Sequence, residues 1–389
     1  MSTTPWNTSE WRRDGTMPEA GPRHDWSFRM RDIEGCPGLP RADLGAGEWR
    51  NGLAIRIPNW LGDAAMAVPA VMQARKALPP GCRLFLVVPA NIAGIFGSLG
   101  LADEIIALHA AHSRWKLSEI AALRRTKAGV ALMFNNSARD ILSFRLAGIP
   151  RIHGTAMRGN GLILTTAYRM QEIRKGSLTH MHHACRYLAM AYALGAPKWD
   201  GSLPETPAVK DLSSAPAAVR DALSGAPLLT VAPGAAYGET KRWPAPNFAA
   251  VCRRWISQGG KVALLGTKEE SGICAEVASG LPETGWTDLS GKTGMKDLMT
   301  LLANSRATIS NDSGIMHLSA ILGGRGVAVF GSTDPTSTSP LSEKWKIAYS
   351  AMDCSPCFRR VCRKGTNACL SAVTPDEVTA KLKEMFGQE

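Results

Sequence analysis

The chain has 389 residues, 45% hydrophobic and 20% charged, an ordinary globular mixture long enough for two domains of typical size. It contains no run of eighteen apolar residues, and its N-terminus lacks a basic-then-apolar pattern; this argues against a membrane span and a signal peptide and predicts a cytosolic protein. The formal charge of +12 calls for acidic partners, whether nucleic acid, anionic lipid or phosphorylated small molecules, without choosing among them.

Residues 1–50 are rich in Gly, Pro, Arg and Trp without periodicity, which predicts an extension that is partly disordered or draped over a domain. From Leu53 short apolar runs alternate with helical segments. LAIRI, RLFLVV, EIIAL and GVALMF read as strands; AAMAVPAVMQARKAL and KLSEIAALRRT read as helices. The Pro-, Ser- and Ala-rich stretch from Trp199 to Pro227 breaks this alternation and reads as a connection between domains. It then restarts with strands at LLTVA, KVALLG, ATIS and GVAVFG, and with helices at FAAVCRRWI, Glu269–Ser279, KDLMTLLANS and IMHLSAILG. The expected class is α/β: two halves with parallel sheets, residues 51–200 and 228–389, joined by a linker at 201–227. Ligands then belong in the cleft between the halves, at the carboxyl ends of strands.

Three strand ends carry candidate chemistry. LAIRI leads into PNWLGDAAM, where Gly62 and Asp63 open a helix; Asp63 is either an acid stabilised by the helix dipole or a carboxylate that takes a proton from an acceptor hydroxyl across the cleft. LLTVA leads into PGAAYGETKRWP, where Gly234 keeps the backbone open, and Lys241 and Arg242 form the basic pair that a departing diphosphate needs, unless they are merely solvated ahead of a helix. ATIS leads into NDSGIMH. There Asn311 or Asp312 is placed to cap the next helix, leaving the N–H groups near Ser313, Gly314 and Ile315 to bind an anion. No two aspartates lie two positions apart, and neither G-x-G-x-x-G nor the P-loop pattern occurs, which counts against a metal-held sugar nucleotide, a nicotinamide enzyme and an ATPase. His180, His182 and His183 read as a helix face or surface cluster rather than a metal site.

Of nine cysteines, Cys36, Cys82, Cys185, Cys252 and Cys274 are scattered and read as buried, inert thiols. Cys354, Cys357, Cys362 and Cys369 are spaced C-x2-C-x4-C-x6-C, and in a reducing compartment four thiols this dense suggest a metal more readily than disulfides.

Taken together, IPNWLGDAAMAVPAV, APGAAYGETKRWP and NDSGIMHLSAILG followed by VAVFGSTDPTSTSP resemble glycosyltransferase family 9, the bacterial lipopolysaccharide heptosyltransferases, and most closely its heptosyltransferase II branch. The likeness covers about Leu53 to Val378. It implies a GT-B fold of two Rossmann-like domains, the N-terminal one binding the acceptor and the C-terminal one ADP-heptose. It further implies inverting transfer of heptose to the inner core of lipopolysaccharide, as the second heptose, without a catalytic metal.

Matched position by position, the resemblance makes Asp63 the general base and Lys241 the residue that stabilises the diphosphate. Asp312 contacts the donor, with Ser313, Gly314 and His317 completing its site, and Glu269 is the residue chosen for the adenosine ribose. The four-cysteine segment resembles one found in part of the family, as a structural zinc or iron site; free thiols and a regulatory disulfide are the alternatives. The acceptor would be a Kdo- and heptose-bearing lipid A, reached by peripheral contact with the cytoplasmic face of the inner membrane. The competing readings are a family 9 transferase acting on a protein or another glycan and, more remotely, a non-catalytic or nucleic-acid-binding protein with a metal-binding cysteine cluster.

Overall fold

The computed structural model describes residues 26–34, 36, 38–109, 114–157, 159–169 and 181–387. Two six-stranded sheets carry the chain, and every pairing within them is parallel.

The first half runs β1 (Gly52–Arg56), α1 (Leu61–Lys76), β2 (Arg83–Pro89), α2 (Ala93–Ser98), β3 (Glu104–Leu108), α3 (Leu117–Arg125), β4 (Val130–Met133), α4 (Ala138–Leu146), β5 (Arg151–Thr155) and β6 (Thr166–Tyr168), followed by α5 (Ala184–Ala193). Its strand order is β3-β2-β1-β4-β5-β6. The second half runs β7 (Leu228–Ala232), α6 (Ala245–Ser257), β8 (Lys261–Leu264), α7 (Ser271–Ala278), β9 (Trp286–Asp288), α8 (Met295–Asn304), β10 (Ala307–Asn311), α9 (Gly314–Ile321), β11 (Gly326–Phe330), β12 (Trp345–Tyr349) and α10 (Pro375–Glu384), in the order β12-β11-β10-β7-β8-β9.

The central strands β1, β4, β7, β10 and β11 are buried along their whole length, which is why they read as unbroken apolar runs. Helix α1 has no polar face over Ala64–Val71, as expected of a helix enclosed by protein on all sides. It packs against α5 on its own half and against α9 on the other. One apolar core is continuous across both halves, joining Leu53, Val68 and Leu86 to Leu265, Met299 and Leu318.

The described residues between 26 and 50 are draped over the body, while residues 1–25, 35 and 37 of the extension lie outside the described residues. Trp26 packs edge-on against Tyr349 of the second half, Phe28 against His182, and Ala42 N donates to Ala193 O at 2.8 Å. Cys36 is joined to Cys185 in a disulfide, which corrects the reading of these two as inert thiols; scattered positions hid a pairing that this draped segment creates. Cys252 and Cys274 are buried free thiols, each pushed up to about 12 by burial, and Cys82 is a half-buried free thiol.

Candidate active site

The acceptor-side candidates sit where β1 meets α1. Arg56, the last residue of β1, is fully buried, and its Nε donates to Asp140 Oδ2 at 2.7 Å. Asp140 also accepts from Trp115 Nε1 at 3.2 Å and Asn135 Nδ2 at 2.6 Å, so the buried charges are paired and hydrogen-bonded. Burial lowers the Arg56 pKa, and Asp140 opposes that shift. The remaining donors of Arg56 reach Ile57 O and Asn59 Oδ1, pinning the loop that leads to Trp60 and Asp63. Asp63 lies in the first turn of α1 and accepts a hydrogen bond from Tyr187 Oη at 3.3 Å. Burial first, and the neighbouring carboxylate second, raise the Tyr187 pKa far above its ordinary value, so the phenol stays a donor. Trp60 stands beside this turn with 59% of its surface exposed.

The second group is built by the loops after β7, β10 and β11. Lys241 Nζ donates to Asp312 Oδ2 at 2.6 Å, and Thr333 Oγ1 donates to the same oxygen at 2.6 Å. Asn311 fastens the preceding loop: its Nδ2 donates to Pro233 O at 2.7 Å and Gly234 O at 3.2 Å, and its Oδ1 accepts from Trp243 N at 2.9 Å. Neither Asn311 nor Asp312 caps α9, contrary to expectation. The cap residue is Ser313, its side chain makes no capping bond, and its Oγ instead meets Ser310 Oγ at 2.8 Å. The two expected caps are engaged by distant partners that local sequence does not reveal. The N-terminal N–H groups of α9 therefore carry no side-chain cap, which suits an anion.

Arg242 is exposed and folds back to Ala235 O at 3.4 Å. Glu269 is exposed on its turn; it is Glu270 that faces the loop, since a Cβ on Gly234 would lie 2.3 Å from Glu270 Oε1.

The two groups meet. A Cβ on Gly314 would lie 2.8 Å from the Cβ of Leu61, and one on Gly62 would lie 3.0 Å from His317 Cδ2, so α1 and α9 touch at their N-termini. His317 is buried, driven down to about 3 by burial and hence neutral, and its Nδ1 has no partner among the described residues. His183 is lowered first by burial and then by Arg186, while Asp63 and Asp312 oppose the shift and Lys241 adds to it; the charges of both groups converge on this ring.

Trp60, Tyr187, Thr333 and Glu270 are not among the site residues expected from sequence, and His183, read there as part of a helix face or surface cluster, instead stands between the two charged groups. Tyr187 follows His183 by four residues, one helical turn, and that spacing was an available signal. His182 is buried; its Nε2 meets Ser339 O at 2.7 Å, and its Nδ1 accepts from Ala184 N at 3.1 Å, joining the two halves instead of forming a surface cluster. His180 lies outside the described residues.

The four-cysteine segment packs on the Lys241 loop. Tyr237 Oη donates to Phe358 O at 2.8 Å, Thr240 Oγ1 donates to Arg359 O, and Cys362 N donates to Glu239 Oε1 at 3.4 Å. The Cys369 thiol is raised by burial and then by Cys354 and Cys357. Among the described residues, however, no three His, Cys, Asp or Glu side chains stand as a ligand set for a metal.

A model of glycosyltransferase family 9 (heptosyltransferase) matches residues 115–367. The chain belongs to this family. Among family 9 relatives, it is 29% identical over 347 residues to lipooligosaccharide heptosyltransferase 2 of Campylobacter jejuni, covering 85% of this chain and 97% of that one. It is 26% identical over 354 residues to lipopolysaccharide heptosyltransferase 2 of Escherichia coli, with the same shares covered. The fold matches the solved ADP-heptose lipopolysaccharide heptosyltransferase II of E. coli with a TM-score of 0.70 at 22% identity, over 86% of this chain and 98% of that one. The family 9 chain thus has the expected two-domain GT-B architecture and is a glycosyltransferase.

Proposed function

We propose that this protein moves L-glycero-D-manno-heptose from ADP-heptose to the inner core of lipopolysaccharide, adding the second heptose. The observation that carries the reading is the contact of α1 with α9, which sets a carboxylate from one half beside a lysine and an uncapped helix terminus from the other. In the reaction, Asp63 accepts the proton of the acceptor hydroxyl as that oxygen attacks the anomeric carbon of heptose. The bond from that carbon to the diphosphate oxygen breaks with inversion, and ADP leaves with its added charge met by Lys241 and the N–H groups of α9. Residues 51–200 hold the acceptor and 228–389 hold the donor, with Ser313, Gly314 and His317 at the sugar diphosphate and Glu270, in place of Glu269, facing the nucleoside side. No step is assigned to a metal.

The test is incubation with ADP-heptose and either Kdo2-lipid A or its mono-heptosylated form, following ADP release and glycolipid mass. Gain of one heptose on the mono-heptosylated acceptor alone supports the reading. Transfer to Kdo2-lipid A alone moves the enzyme to the first addition, and no transfer to either overturns the acceptor assignment.

A structural zinc or iron at Cys354, Cys357, Cys362 and Cys369 is proposed on their C-x2-C-x4-C-x6-C spacing alone. Metal analysis of the purified protein, and melting before and after chelation, test it; no bound metal and an unchanged melting temperature overturn it. Peripheral membrane contact belongs to the same reading, and among the described residues no helix is long and apolar enough to cross a membrane.

A further inference from the structure

The loop after β7 gathers a second cation that comes from another part of the chain. Lys241 Nζ lies 5.0 Å from the centroid of the Tyr237 ring, and the guanidinium carbon of Arg360 lies 5.2 Å from the same centroid. Arg360 belongs to the four-cysteine segment, between Cys357 and Cys362. Its backbone is fixed by the lysine loop. Tyr237 Oη donates to Phe358 O at 2.8 Å and Thr240 Oγ1 donates to Arg359 O, so the loop holds the two residues before it. Gly238 lets the two backbones approach: at its φ of 152° a Cβ would lie 2.6 Å from Arg360 O. Phe358 N donates to Ser332 O at 2.7 Å and Ser355 Oγ donates to Gly331 O, which ties the same segment to the end of β11, beside Thr333.

One cation over an aromatic ring is an ordinary packing contact. A second cation at the same ring adds repulsion between like charges, which an anion near both relieves. Lys241 is already matched by Asp312, whereas Arg360 is exposed and has no carboxylate partner among the described residues. The surplus charge at this loop is therefore the arginine's. A guanidinium offers paired N–H donors whose geometry fits a phosphate. We propose that Arg360 is a second phosphate-binding residue: from the cysteine segment it meets the β-phosphate of the nucleotide beside Lys241 and takes up part of the charge that the diphosphate gains on leaving. It donates hydrogen bonds and transfers no proton, so the bonds made and broken at the anomeric carbon are unaltered. The inference rests on the proposed function for the identity of the donor.

The test is calorimetric titration of the full chain with ADP and with AMP, which lacks the β-phosphate, for the wild type, Arg360→Gln, Arg360→Lys and Arg363→Gln. Hydrogen bonds to a charged group make the expected loss of ADP affinity in Arg360→Gln about tenfold or more, with AMP affinity and melting temperature unchanged. Arg360→Lys should recover part of that loss, since it keeps the charge without the fork. Arg363→Gln removes a neighbouring exposed cation and should bind both nucleotides as the wild type does. In turnover, Arg360→Gln should raise the ADP-heptose KM and lower kcat while leaving the acceptor KM unchanged. Wild-type ADP affinity in Arg360→Gln, or an equal loss for ADP and AMP, overturns the inference and leaves the proposed function standing. No ADP binding by the wild type overturns the donor reading, and this inference with it.

Discussion

At the residue scale, Asp63 is the side chain whose role depends most on its surroundings. An acid in the first turn of a helix is commonplace, and its identity as a candidate base came from the family motif rather than its neighbours in sequence. The structure adds Tyr187, a buried phenol that donates to one carboxylate oxygen of Asp63. Asp63→Asn is expected to lower kcat by about 10²–10⁴, the usual worth of a positioned base, with ADP-heptose affinity by calorimetry nearly unchanged. A comparable loss of donor affinity would remove Asp63 from that role. Lys241→Ala removes charge from the leaving-group side and should lower kcat by about 10²–10³ while also weakening donor binding, read as a rise in the ADP-heptose KM.

At the element scale, the arrangement depends on the close crossing of α1 and α9. Gly314 has no room for a side chain, because its missing Cβ would press on Leu61. Gly314→Val should cost about 1–3 kcal/mol of stability in denaturant titration, and it should lower turnover as well, since the clash pries apart the turns that carry Asp63 and Asp312. A variant with wild-type stability and rate would show that the helices separate freely. The sequence revealed these elements unevenly. The inner strands were legible because burial on both faces leaves an apolar run. RIHGT, TAY and WTD were not singled out: each is short and carries polar residues, and the last is only half-buried. Nor could NDSG be divided correctly between capping and cross-linking, since Asn311 and Asp312 are engaged by loops about seventy residues away in sequence.

At the scale of the whole molecule, three buried histidines tie stability to pH. Burial depresses His317 to about 3 and His153 and His182 to about 4, all below the unfolded value of 6.5. The unfolded chain therefore takes up protons before the folded one does. Stability should be fully present above about pH 6.5 and should fall as the pH drops toward 4, by up to ~1.4 kcal/mol per pH unit for each histidine. Melting temperature measured between pH 8 and 4 checks the sign; a flat profile would mean that the halves open enough to hydrate these rings. The two-half organisation was legible from the restart of the strand and helix pattern after Pro227. The shared core was not, because an apolar residue in sequence does not say which half it faces.

The Lys241–Asp312 pair has a consequence for how the site receives charge. A basic site that binds a diphosphate ordinarily releases ions from solution, and its affinity falls steeply with salt. Here the lysine already holds a counter-ion of its own, fixed to the same scaffold and braced by Thr333. On the proposed function, a diphosphate that arrives at Lys241 would exchange places with that carboxylate instead of expelling salt, so donor affinity should vary with ionic strength less than the +12 charge of the chain would suggest.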